Sequence, residues 1–166
     1  MEQILDSKAH IQYLAYQYFN NEDLFFIGRN IDYALSLEGS LKLKEISYIH
    51  SEAYAAGELK HGTISLVENG TLVIAVASYK RLVEKTLSNA VEVRSRGARV
   101  LMLTTESVRA AVEHAADDMM IIPDTHEVLL PSLAVLPLQL FAYYMALYRG
   151  CDIDKPRNLA KSVTVE

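Results

Sequence analysis

At 166 residues, 51% of them hydrophobic and 22% charged, the chain is long enough to bury a core without staples and reads as one globular domain. A net charge of −5 excludes a nucleic-acid binder, whose phosphate contacts need clustered Lys and Arg. The single cysteine, Cys151, excludes a disulfide framework and a Cys-based metal cluster, and suits a reducing cytosol.

Residues 1–20 place Ile4, Leu5, Ile11, Leu14, Ala15 and Tyr18 at helical spacing, which predicts an opening amphipathic helix. Early acids and the lack of a compact apolar stretch argue against a signal peptide. LFFIG (24–28) is a short apolar run closed by glycine, the pattern of a buried strand entering a turn. Asn30 is expected to cap a helix over 31–49. SEAYAA (51–56) reads as a short strand and GELKHG (57–62) as a turn or brief helix. After the ENGT turn, LVIAVAS (72–78) is a continuous apolar strand.

KRLVEKTLSNAVEVRSRG (80–97) is an amphipathic helix with Gly97 in the usual terminating place. ARVLMLTT (98–105) predicts a strand, ESVRAAVEHAA (106–116) a helix and MMIIP (119–123) another strand. LLPSLAVLPLQLFAYYMALY (129–148) holds no charge and meets the length rule for a membrane span. Pro131, Pro137, Gln139, three tyrosines and the lack of a second such run favour a helix wedged against a sheet or a partner subunit. DIDKPRNLAKSVTVE (152–166) reads as an irregular tail. Short apolar strands alternating with helices mean βαβ units and a parallel sheet covered on both faces. The expectation is one α/β domain over 1–150 followed by a tail over 151–166.

Ligands of such sheets lie at the carboxyl ends of the strands. Two loops qualify, Gly28-Arg29-Asn30 and the 57–62 segment, while GxGxxG and Walker patterns are absent. Glu38, Lys42 and Glu45, spaced i, i+4, i+7, share a helix face about 60° wide. That face is either a solvated stripe of ion pairs, worth a few tenths of a kcal/mol each, or a general base with a lysine tuning it. His61 is set apart only by its Lys60 and Gly62 neighbours. Lys161 reads first as a solvent-exposed tail lysine, yet Leu159, Ala160 and Val163 around it are apolar, so the tail is expected to dock. A docked, partly desolvated lysine can lose its proton and form a Schiff base with a carbonyl.

LEGSLKLKEISYIHSEAYAAGELKHG (37–62) and the terminal DIDKPRNLAKSVTVE together resemble the C-terminal half of the isomerase portion of the glutamine–fructose-6-phosphate aminotransferase family. The resemblance runs over nearly the whole chain. It implies the sugar isomerase (SIS) fold, a doubly wound five-stranded parallel sheet. It implies a longer enzyme with a glutaminase domain and two SIS domains, in which glutamine-derived ammonia and fructose 6-phosphate give glucosamine 6-phosphate. No metal or organic cofactor is implied, and a cytoplasmic homodimer is. By the same resemblance Glu45 moves a proton between C1 and C2, and His61 opens the sugar ring from across the dimer. Lys161 forms the Schiff base; Lys42, Glu38 and Ala160 are implied as substrate contacts, Glu38 the weakest.

Some departures count. Thr63 stands where the family usually has proline. No N-terminal cysteine nucleophile is present, so glutamine hydrolysis is not expected of this chain, and Met1 just before a helix suggests a piece of a longer protein. The family's Ser/Thr-rich phosphate loop, of S-x-S-x-x-T type, belongs to the first SIS domain; here the loop after LVIAVA reads SYKRLVEKT. The chain is therefore expected to be inactive or nearly so alone. The rival readings are a non-catalytic sugar-phosphate-binding SIS module and a free-standing ketose isomerase.

Overall fold

The structure, a computed structural model, describes residues 1–159. Helices α1 (Glu2–Asp6) and α2 (Lys8–Tyr18) lead into β1 (Asp23–Gly28), α3 (Ile31–Ser47) and β2 (His50–Ala55). Two 3-10 turns, Ala56–His61 and Thr63–Leu66, precede β3 (Leu72–Ala77), α4 (Val83–Arg94) and β4 (Arg99–Thr105). Then follow α5 (Arg109–Val112), β5 (Asp118–Ile122) and α6 (Leu130–Tyr148). All four strand pairings are parallel and the sheet order is β2-β1-β3-β4-β5. The order reverses between β1 and β3, which makes their carboxyl ends the topological switch point.

Each central strand feeds both faces, because successive side chains of a strand point to opposite sides. Phe26, Ile74, Leu101 and Leu103 pack with α2, α3 and α6 on one side. Ile27, Val73, Ala75 and Met102 pack with α4 and the turn carrying Ala56 and Leu59 on the other. This is why the strands read as unbroken apolar runs. Two glycines seat α3 on the first face. A Cβ on Gly28 would lie 2.4 Å from the Asp32 carbonyl oxygen, and one on Gly39 would lie 2.8 Å from a Phe26 ring carbon. The stretch Glu127–Tyr148 is long and apolar enough to cross a membrane by length and composition. Its Ala134, Leu138, Phe141, Ala142 and Met145 are nevertheless buried in the first core, as a sheet-covering helix requires.

Local deviations have local causes. The opening helix breaks at Ser7, whose hydroxyl bonds back to the Ile4 carbonyl at 2.7 Å. Asn30 occupies the N-cap position of α3 at φ 54, ψ −121, but its side chain makes no capping bond; its carbonyl accepts the Tyr33 amide at 3.0 Å. The first turn also closes through the Asp32 amide on the Arg29 carbonyl. The expected helix over 106–116 shrinks because the Ser107 amide and hydroxyl bind the Asp124 carboxylate at 2.9 and 2.5 Å, holding its start in a turn. Finally, α3 stops at Ser47, since Tyr48 adopts the left-handed region at φ 60, ψ 17. A non-glycine residue there costs roughly 1–3 kcal/mol.

Candidate active site

The α3 face carries the expected cluster. Lys42 Nζ lies 2.6 Å from Glu45 Oε2 and 3.9 Å from Glu38 Oε1. All three side chains are half-open to solvent, Glu45 at 29% and Lys42 at 32% exposure, so a ligand can reach them. The Glu45 hydrogen bond holds the Lys42 ammonium above its usual range, against a smaller desolvation effect. Lys42 is therefore a fixed cation beside a carboxylate, poorly suited to attack a carbonyl. An apolar hollow of about 370 Å³ adjoins it, walled by Leu5, Ile46, Leu136, Leu140 and Tyr143.

The end of α3 is also where the chain returns after α6. Arg149 donates from Nε to the Ser47 carbonyl at 3.1 Å and from Nη1 to the Phe19 carbonyl at 2.8 Å, capping α3 and α2 with one cation. Beyond it, the Asp152 carboxylate accepts the amides of Asp154 and Lys155 at 3.1 and 2.9 Å, forming a tight turn. The Arg157 amide then donates to Tyr48 Oη at 2.8 Å, and its guanidinium carbon sits 4.2 Å from the centre of the Tyr48 ring. The tail is thus held as far as Arg157 by polar contacts, while Leu159 is half-exposed and Val163 lies outside the described residues. Ala160 and Lys161 lie outside the described residues.

His61 is placed elsewhere. It ends a 3-10 turn fixed by buried Ala56 and Leu59 and by Lys60, whose ammonium meets Glu92 of α4 at 2.8 Å. That turn packs in the second core, whereas α3 packs in the first. The sheet stands between exposed His61 and the Lys42–Glu45 pair of the same chain. Among the described residues, then, Glu38, Lys42 and Glu45 come together and His61 does not join them.

A cleft of about 620 Å³ lies at the switch point and is lined by Asn30, Ile31, Tyr79, Arg81, Glu127 and Pro131 among others. It opens at the first turn of α3, and Glu45 lies fourteen residues on, about 21 Å along the axis. The two belong to opposite ends of the helix. Donors of the β3–α4 loop are already engaged: Ser78 Oγ, Ser78 N and Tyr79 N bind the Asp32 carboxylate at 2.5, 3.0 and 3.0 Å. These donors are therefore satisfied inside the protein by a buried carboxylate. Sequence reading missed Asp32, Tyr48 and Arg157; the only local hint for the first was an acid in the first turn of a helix.

Burial pushes the Asp32 carboxyl up to about 6 despite the opposing bonds from Ser78 and Tyr79. With its folded value above its usual one, Asp32 contributes most to stability below pH ~4. That contribution falls as pH rises to ~6, by about 3 kcal/mol. Denaturant midpoints of the wild type and Asp32→Asn between pH 4 and 7 should therefore diverge, the wild type losing ground on the variant as pH rises. Parallel curves would contradict this.

The SIS domain model matches residues 17–149. Over 166 residues, all of this chain, the glutamine–fructose-6-phosphate aminotransferase of Caldanaerobacter subterraneus subsp. tengcongensis is 57% identical. That of Clostridium acetobutylicum is 52% identical over 165 residues. The chain spans 27% of the length of each of these relatives. Among solved structures, the C-terminal domain of the glucosamine-fructose-6-phosphate aminotransferase from Francisella tularensis superposes with a TM-score of 0.87. It is 36% identical, and the match covers 92% of this chain and 43% of that one. Sheet order, matched span and similarity over the full chain agree: the chain belongs to the SIS domain family.

Proposed function

We propose that the chain is the second SIS domain of a glutamine–fructose-6-phosphate aminotransferase, acting in the cytoplasm as part of a homodimer. The observation that carries this reading is the half-exposed Lys42–Glu45 pair at 2.6 Å, in a chain 57% identical throughout to an aminotransferase of that name.

In this reading His61 of the partner subunit opens the fructose 6-phosphate ring, a proton transfer suited to imidazole near neutral pH. The Lys161 amine attacks the C2 carbonyl and water leaves, giving an imine. Ammonia displaces Lys161 from C2, and the imine carbon makes the C1 proton acidic. Glu45 removes that proton and delivers one to C2, so that the ketose skeleton ends as the 2-amino aldose. Lys42 holds the Glu45 carboxylate in place. Glu38, at 3.9 Å from the same ammonium, has a weaker supporting part, and Ala160 contacts the sugar beside Lys161. The steps call on no metal or organic cofactor.

Engagement of the β3–α4 loop by Asp32 supports assigning the phosphate grip to a different SIS domain. The isolated chain would then be inactive or nearly so, with glutaminase and first SIS domains needed for turnover. Exposed Leu37 and Leu41 on α3, with Tyr143 and Leu147 on α6, supply an apolar face for that domain or a second subunit. Borohydride reduction with fructose 6-phosphate, followed by mass mapping, should label Lys161 in the full-length protein and not in the isolated chain. Strong labelling of the isolated chain would contradict the missing-grip argument; no labelling of the full-length protein would overturn the Schiff-base assignment.

A further inference from the structure

The tail has two anchors on the same helix end, at Ser47 and at Tyr48. Arg149 makes that first contact, at the Ser47 carbonyl. The second comes eight residues later, after the Asp152 turn, where the Arg157 amide bonds Tyr48 Oη at 2.8 Å and the guanidinium lies 4.2 Å from the ring centre. The backbone is shaped around this contact. Tyr48 takes φ 60 at the close of α3, and Asn158 takes φ 61 directly after Arg157. Pro156, with its fixed φ, precedes the pair, so a proline and a left-handed asparagine bracket the anchored residue. A segment that only trails into solvent has no need of such a turn.

We infer that Tyr48 is a positioning residue, which latches the C-terminal tail through Arg157 at the helix end that carries Glu45. The role rests on the functional reading above. Glu45 lies three residues before Tyr48 on the chain, within one helical turn. Lys161 follows Arg157 by four residues, a covalent reach of at most about 14 Å between their Cα atoms. The latch thus limits how far the imine-forming amine can stray from the carboxylate, and it sets the effective concentration of one group at the other. It works through the ring face and the hydroxyl together, so Tyr48→Phe keeps half of it and Tyr48→Leu none. Both replacements face the same left-handed backbone strain as tyrosine, which keeps the comparison clean.

The test uses the full-length protein with Tyr48→Phe, Tyr48→Leu, Arg157→Ala and the Tyr48→Leu/Arg157→Ala double variant. Tyr48→Leu should slow borohydride trapping of fructose 6-phosphate at Lys161 by about ten-fold, the size expected for one hydrogen bond and one cation–π contact, and Arg157→Ala, which keeps the amide donor, by about three-fold. The double variant should be no slower than Tyr48→Leu, Tyr48→Phe should fall between that variant and wild type, and the thermal midpoint should move little. Hydrogen exchange at the Arg157 amide should quicken in Tyr48→Leu. Trapping in Tyr48→Leu that matches wild type overturns the latch alone. Wild-type protein that fails to trap at Lys161 overturns the functional reading, and this role of Tyr48 with it.

Discussion

Glu45→Gln in the full-length protein should lower glucosamine 6-phosphate formation by about 10²–10⁴-fold, the range of a lost general acid–base group. Glutamine keeps the size of glutamate and an oxygen that can still accept from Lys42, so the 2.6 Å contact has a replacement and folding is spared. What the variant lacks is an oxygen able to take the C1 proton. Trapping at Lys161 precedes that step and should stay within a few-fold of wild type. Exchange of the C1 hydrogen with deuterated solvent should fall in parallel with turnover. A variant retaining more than a tenth of wild-type turnover would remove Glu45 from the proton-transfer role.

Most of the sheet was readable because its strands are buried on both faces and so appear as unbroken apolar runs, LFFIG and LVIAVA above all. The family resemblance implied a doubly wound five-stranded sheet, but the strand order, with its switch between β1 and β3, could not be read from the runs themselves. Helix ends were harder. Nothing about tyrosine announces the left-handed turn at Tyr48, and its ring and hydroxyl find their partner 109 residues away. Asp32 was invisible for the same reason, since the Ser78 and Tyr79 donors that define its role lie 46 and 47 residues further on. The Lys42–Glu45 contact was legible because helical spacing alone brings such residues together. By contrast, spacing could not say on which side of the sheet the His61 turn would pack.

That side is decisive for the account. The His61 turn packs in the second core and α3, which carries Glu45, in the first. In the proposed function, a site that uses both draws them from two subunits related by two-fold symmetry. His61→Ala and Glu45→Gln should each be close to inactive as homodimers. Unfolded together and refolded as a mixture, half of the dimers carry one chain of each kind. Every mixed dimer holds one site with both wild-type groups and one with neither. The direct measurement is the turnover of that equimolar mixture. The shared site predicts recovery of about a quarter of wild-type activity, by random pairing of the two chains. No recovery above the separate variants, with mixed dimers demonstrably formed, would mean that His61 and Glu45 serve the same chain, and would contradict the site proposed.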